Sequence, residues 1–99
     1  MPNLPATQSN ALEELCTSIR ALKNAGELKL FLEDLLTPAE IKSISERWAV
    51  VLKLEEGTPY RRIYEETGVS TATVTRVARS LSSGSGGYRK ALNRLGKSR

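Results

Sequence analysis

Histidine is absent from these 99 residues, and cysteine occurs once, at Cys16. No Cys/His zinc cluster, disulfide framework or Cys–His dyad can therefore be built within one chain. A lone cysteine on an apolar helix face is in the first place a small packing residue. Carboxylates are not clustered either, so the constellations for acid–base, nucleophilic or metal chemistry are missing, and an enzyme is the weakest reading. Aromatic residues make up 5% of the chain and do not alternate with basic ones, which argues against a platform of stacked single-stranded bases. No apolar run reaches transmembrane length and no signal-peptide pattern opens the chain, so the expectation is a reduced, cytoplasmic protein.

Charge is present but unevenly placed. The net charge is +4. Residues 1–37 carry five acids and three bases (−2), and residues 38–57 carry four and three (−1). Residues 58–99 carry two acids against nine bases (+7), the electrostatic footprint of a polyanion partner.

The basic half opens on TPYRRIYEETGVSTATVTRVARSL, residues 58–81. It reads as two short helices joined by a tight turn. Thr58 can cap the first with Pro59 at its first position, Gly68 can end it in a left-handed conformation, and Ser70 can cap the second. A helix-turn-helix counted from Tyr60 wants glycine at the ninth position and apolar residues near the fourth, tenth, fifteenth and eighteenth. Gly68, Ile63, Val69, Val74 and Val77 stand there. Tyr64 departs from the pattern, since a small residue at its position normally lets the helices approach. The second helix is then free to enter a DNA major groove.

Around this motif, residues 1–8 hold two prolines without periodicity and read as a disordered arm. Ser9 or Asn10 can cap a helix with Leu12, Leu15, Ile19 and Leu22 on one stripe, and Gly26 is a plausible stop. Leu28, Phe31, Leu32, Leu35 and Leu36 form a second apolar helix, dense enough to need a partner surface. Thr37, Pro38 and Glu40 make a capping box that starts a third helix, in which Ile41, Ile44, Trp48, Val51 and Leu52 follow at helical spacing and Gly57 closes. SSGSGG, residues 82–87, reads as a flexible joint. Tyr88, Ala91, Leu92 and Leu95 then suggest a last helix before Gly96 and a basic tail, residues 96–99. With no strand pattern, the reading is all-α, with six helices and a helical domain over residues 9–95 that holds the helix-turn-helix at 59–81.

LLTPAEIKSISERW, EEG and TGVSTATVTRVARSL, with a glycine loop and Tyr88 after them, resemble the tryptophan-repressor (TrpR) family, and more closely its YerC/YecD-like branch. The likeness runs from about Leu12 to Leu95. It implies an intertwined TrpR-like homodimer and a transcriptional regulator, a repressor, that binds double-stranded DNA at a palindromic operator, with half-sites about one helical turn apart. Its DNA-reading positions fall on Arg61, Thr71, Ala72, Thr73 and Thr75. Arginine can pair with a guanine edge through two hydrogen bonds, and an alanine or threonine methyl can meet a thymine methyl. Arg62, Arg79, Arg89 and Lys90 suit phosphate contact, where charge positions without specifying.

The resemblance also implies a ligand site at Thr37, Arg47, Arg76, Val77 and Ser80. Arg76 could hold a carboxylate in a forked pair. Val77 stands where the family's tryptophan binders have glycine, and Asp34 replaces an apolar residue near the amino-group end. Both argue against tryptophan and for a smaller amino-acid effector or none; salt bridges from the arginines to Glu40, Glu46 or phosphate are the equal alternative. The competing function is a helical dimerisation or adaptor module whose basic half binds an acidic protein. It accounts for the leucines and the charge but leaves the helix-turn-helix pattern unexplained.

Overall fold

The computed structural model describes residues 4–99, with side-chain surroundings from Asn10 onward. Six helices follow in order: α1 (Leu4–Ala21), α2 (Ala25–Leu35), α3 (Pro38–Glu55), α4 (Tyr60–Thr67), α5 (Thr71–Ser83) and α6 (Gly87–Arg94), with no strand among the described residues. The chain divides into two compact units, residues 1–41 and 42–99.

The first unit differs from expectation at its start. The α1 backbone already runs through Ser9 and Asn10, so neither caps it, and residues 4–8 are helical rather than a disordered arm. Pro5 is compatible with this because first-turn N–H groups have no intrahelical acceptor to lose. The part of that expected arm at residues 1–3 lies outside the described residues. Gly26 is not a stop either: α1 ends at Ala21, and Asn24 caps α2 by accepting the Glu27 N–H at Oδ1, 2.9 Å. Glu27 in turn accepts the Lys23 N–H at 2.8 Å, so two donors at the helix start are satisfied reciprocally. No residue of α2 is buried, and Leu12, Leu30 and Leu35 stand exposed.

The capping box at the start of α3 forms as expected. The Thr37 N–H donates to Glu40 Oε1 at 2.8 Å, and Thr37 Oγ1 accepts the Glu40 N–H at 3.1 Å.

The second unit holds the core: Val50 and Val51 from α3, Ile63 from α4, Val69 from the turn, Val74 and Val77 from α5, and Leu92 from α6. Trp48, Leu52, Leu54, Leu81 and Tyr88 pack around it. The Trp48 and Tyr88 rings, with centroids 6.1 Å apart and tilted by 43°, tie α3 to α6. Ile63, Val69, Val74 and Val77 are the apolar positions that the helix-turn-helix spacing requires. The expected flexible joint is shorter than SSGSGG, because α5 continues through Ser83 and α6 begins at Gly87.

Candidate nucleic-acid interface

The turn between α4 and α5 sets the geometry. Gly68 ends α4 at φ +76°, ψ 0°, a left-handed conformation that costs a residue with a Cβ about 1–2 kcal/mol. Its N–H donates to the Tyr64 carbonyl at 2.8 Å. Thr67 Oγ1 donates to the Ile63 carbonyl at 2.6 Å and accepts the Val69 N–H at 3.0 Å, so the turn is bonded on both sides. Ser70 caps α5, accepting the Thr73 N–H at 3.2 Å. Thr58 does not cap α4. Pro59 occupies the cap position, and its carbonyl accepts the Ile63 N–H at 3.0 Å without any side-chain cap.

Tyr64 does not disturb the pairing of α4 with α5. Ile63 turns into the core while Tyr64, one residue on, points outward at 51% exposure. A bulky residue there occupies solvent rather than the gap between the helices.

α5 has two opposed faces. Val74 and Val77 are locked in the core, whereas Thr71, Ala72 and Thr75 are exposed and Thr73 is half-buried. Two of the threonine hydroxyls are already engaged. Thr75 Oγ1 donates to the Thr71 carbonyl at 2.9 Å, which leaves its oxygen available as an acceptor. Thr73 Oγ1 lies 3.1 Å from Ser70 Oγ, which donates to it. Beside this face Tyr60 of α4 joins Thr75, Ala78, Arg79 and Ser82 of α5 around a shallow depression. Tyr60 and Ser82 were not among the expected site residues. Their cue in the sequence is position, since Tyr60 opens α4 and Ser82 lies seven residues, or two turns, beyond Thr75.

The cations divide into two groups. Arg62, Arg79 and Lys90 are exposed and enter no ion pair among the described residues. Arg61, with its side chain 88% exposed, lies 3.4 Å from Glu65 one turn on, a solvent pair that is weak enough to exchange for a stronger partner. Arg89 is different. Its Nη1 lies 2.6 Å from Glu55 Oε2, and the carboxylate side chain is only 10% exposed. A phosphate would have to displace that carboxylate, so Arg89 braces α6 against α3 and leaves the set of free phosphate contacts.

Of the expected ligand positions, Arg47, Arg76 and Ser80 are exposed, and neither arginine pairs with a carboxylate among the described residues. Glu46 pairs with Lys42 at 3.4 Å, and Glu40 belongs to the α3 cap. Thr37 is exposed, with its hydroxyl oxygen engaged in that cap. Val77 is 3% exposed and packs in the core, so the volume a glycine would leave open there is filled. Ser80 lines a second depression with residues 84–88. No group of three or more metal-ligating side chains occurs among the described residues, and no helix described is long and apolar enough to cross a membrane.

The chain is similar to known proteins over nearly its whole length. A family model described as Trp repressor protein matches residues 10–96. The uncharacterized protein YerC of Bacillus subtilis (strain 168) is 44% identical over 84 residues, which cover 85% of this chain and 81% of YerC. A TrpR-like protein from Eubacterium eligens ATCC 27750 superposes with a TM-score of 0.84 at 43% identity, covering 91% of this chain and 93% of the other. A candidate Trp repressor from Staphylococcus aureus gives a TM-score of 0.84 at 38% identity, covering 97% and 96%. All six helices take part in the family match, from the middle of α1 to the glycine after α6, and the chain belongs to the Trp repressor family.

Proposed function

We propose that this protein is a homodimeric regulator of transcription that reads a palindromic site on double-stranded DNA and represses by occupying it. The observation that carries this reading is the two-faced α5: Val74 and Val77 anchor it in the core while Thr71, Ala72 and Thr75 face outward. An anchored helix with short polar and methyl side chains on its free face can approach base edges closely. Arg61 adds a fork for a guanine edge from the preceding helix. Arg62, Arg79 and Lys90 supply sequence-independent attraction to phosphate. Family membership favours the same reading.

The dimer is supported by the first unit. Leu12, Leu30 and Leu35 are exposed there and α2 buries nothing, a distribution that a second copy of the chain would relieve. An amino acid other than tryptophan is the effector this reading favours, its carboxylate paired with Arg76 and its side chain limited by the filled volume at Val77.

Titration of labelled duplexes at several salt concentrations, with the oligomeric state followed by sedimentation, tests the proposal. The reading requires a dimer and a steep inverse dependence of affinity on salt. A protein indifferent to duplex DNA but retained by acidic proteins would replace it with the adaptor function, and a monomer would remove the palindromic reading.

A further inference from the structure

Residues 97–99 return to the end of α3. The Lys97 N–H donates to the Leu92 carbonyl at 2.8 Å, which starts the return. The Arg99 N–H then donates to Glu55 Oε2 at 2.7 Å. Arg99 Nη1 donates to the carbonyl oxygens of Glu55, at 3.4 Å, and of Glu56. The same Glu55 Oε2 accepts from Arg89 Nη1 at 2.6 Å, and that Nη1 also reaches Ser98 Oγ at 3.3 Å. One carboxylate oxygen thus joins α3, α6 and the tail.

The place matters because α3 ends there. Carbonyls of a last turn lack intrahelical donors, and a cation beside them meets the negative end of the helix. Arg99 supplies both the donors and the charge. It also lies over the turn that leads to the DNA-reading pair: a Cβ built on Gly57, at φ +88°, would fall 2.7 Å from Arg99 Nη1. The turn itself, residues 56–59, is held by the Gly57 N–H on the Leu54 carbonyl and the Thr58 N–H on the Lys53 carbonyl, both at 3.0 Å. It is the covalent link between α3 and α4, which share one core through Val51 and Ile63, so its conformation bears on the angle at which α4 and α5 sit against α3.

We infer that Glu55 and Arg99 are positioning residues for DNA reading: the tail is a strap over the α3–α4 turn and holds α4 and α5 at their reading angle. This rests on the DNA-binding function proposed above. The alternative use of Arg99, as one more cation for phosphate, predicts the opposite sign at Glu55. If charge alone mattered, Glu55→Gln would remove a negative group and strengthen DNA binding. As part of the strap, its loss weakens reading.

The test is made on the full chain with Arg99→Ala and Glu55→Gln, checking helicity by circular dichroism. Arg99→Ala leaves the Glu55–Arg89 pair in place and guards against a Glu55 variant that fails to fold. Two quantities are read: amide hydrogen exchange at Gly57 and Thr58 in the free protein, and affinity for a selected duplex and for random duplex across salt. In both variants the two amides should exchange about tenfold faster through easier local opening. Preference for the selected over the random duplex should fall about tenfold in both. In Arg99→Ala random duplex stays within about twofold and the salt slope is unchanged, because the Arg99 guanidinium is held on the Glu55 and Glu56 carbonyls, whereas Glu55→Gln also releases Arg89 and tightens random binding. Unchanged exchange overturns the strap. So does a Glu55→Gln protein that binds both duplexes more tightly with its preference unchanged, or an equal loss on both duplexes by Arg99→Ala with a slope shallower by about one, which assigns Arg99 to phosphate. If the unmodified protein discriminates no sequence, the DNA reading fails, and exchange alone then decides whether the strap holds the turn.

Discussion

Lys53 Nζ lies 2.6 Å from Glu66 Oε1 and joins the last turn of α3 to the last turn of α4, thirteen residues on. Hydrogen bonding to Lys53, reinforced by its charge and that of Arg62, holds the Glu66 carboxyl below its ordinary 4.5. Arg89 does the same for Glu55, followed by the Arg99 N–H. A carboxyl depressed in the folded state contributes stability that is fully present above its unfolded value and is lost as pH falls through the folded one. The thermal midpoint should therefore be level above about pH 5 and fall on acidification below it. Replacing both groups, Glu55→Gln with Glu66→Gln, should flatten that acid limb. An acid limb of unchanged steepness would show that these pairs contribute nothing.

Ile63 and Tyr64 are neighbours with opposite fates. Ile63→Ala removes a fully buried side chain from the α4 contribution to the core and should cost about 2–5 kcal/mol in chemical denaturation. Tyr64→Ala should stay within about 0.5 kcal/mol, as for an exposed site. A large loss at Tyr64 would mean that it packs between the helices after all.

Ser70→Ala removes the acceptor for the Thr73 N–H and should cost about 0.5–2 kcal/mol. The same change releases the Thr73 hydroxyl, so DNA affinity measured alongside stability reports whether that hydroxyl contributes to reading.

These outcomes depend on features of unequal visibility in the sequence. The capping box at Thr37 and Glu40, the left-handed glycines at positions 57 and 68, and the Ser70 cap all act within a few residues, so residue type and spacing reveal them. The α5 core positions were legible for the same reason. Choices between neighbouring caps were not: Asn24 prevailed over a stop at Gly26, and Pro59 took the place assigned to Thr58. A cap depends on where the helix axis begins, and several nearby residues can serve. Least visible was the fate of Arg89. It reads as one of a run of basic residues, yet its partner Glu55 lies 34 positions earlier, a pairing that only the folded chain creates.

Arg61→Ala should weaken a selected site by about 1–3 kcal/mol, roughly tenfold to a hundredfold, and affect random duplex much less. Its solvent pair with Glu65 adds little to stability, so the thermal midpoint should barely move. Equal weakening of both duplexes would make Arg61 a phosphate contact.

If the exposed face of α5 reads DNA sequence, the purified protein must choose among duplexes. Selection of duplexes from a random pool by the purified protein, at near-physiological salt and with or without an amino-acid mixture, tests it most directly. A palindromic consensus is expected, sharpened by the mixture where an effector binds and little changed by tryptophan alone. Recovery of no consensus in either arm would contradict it.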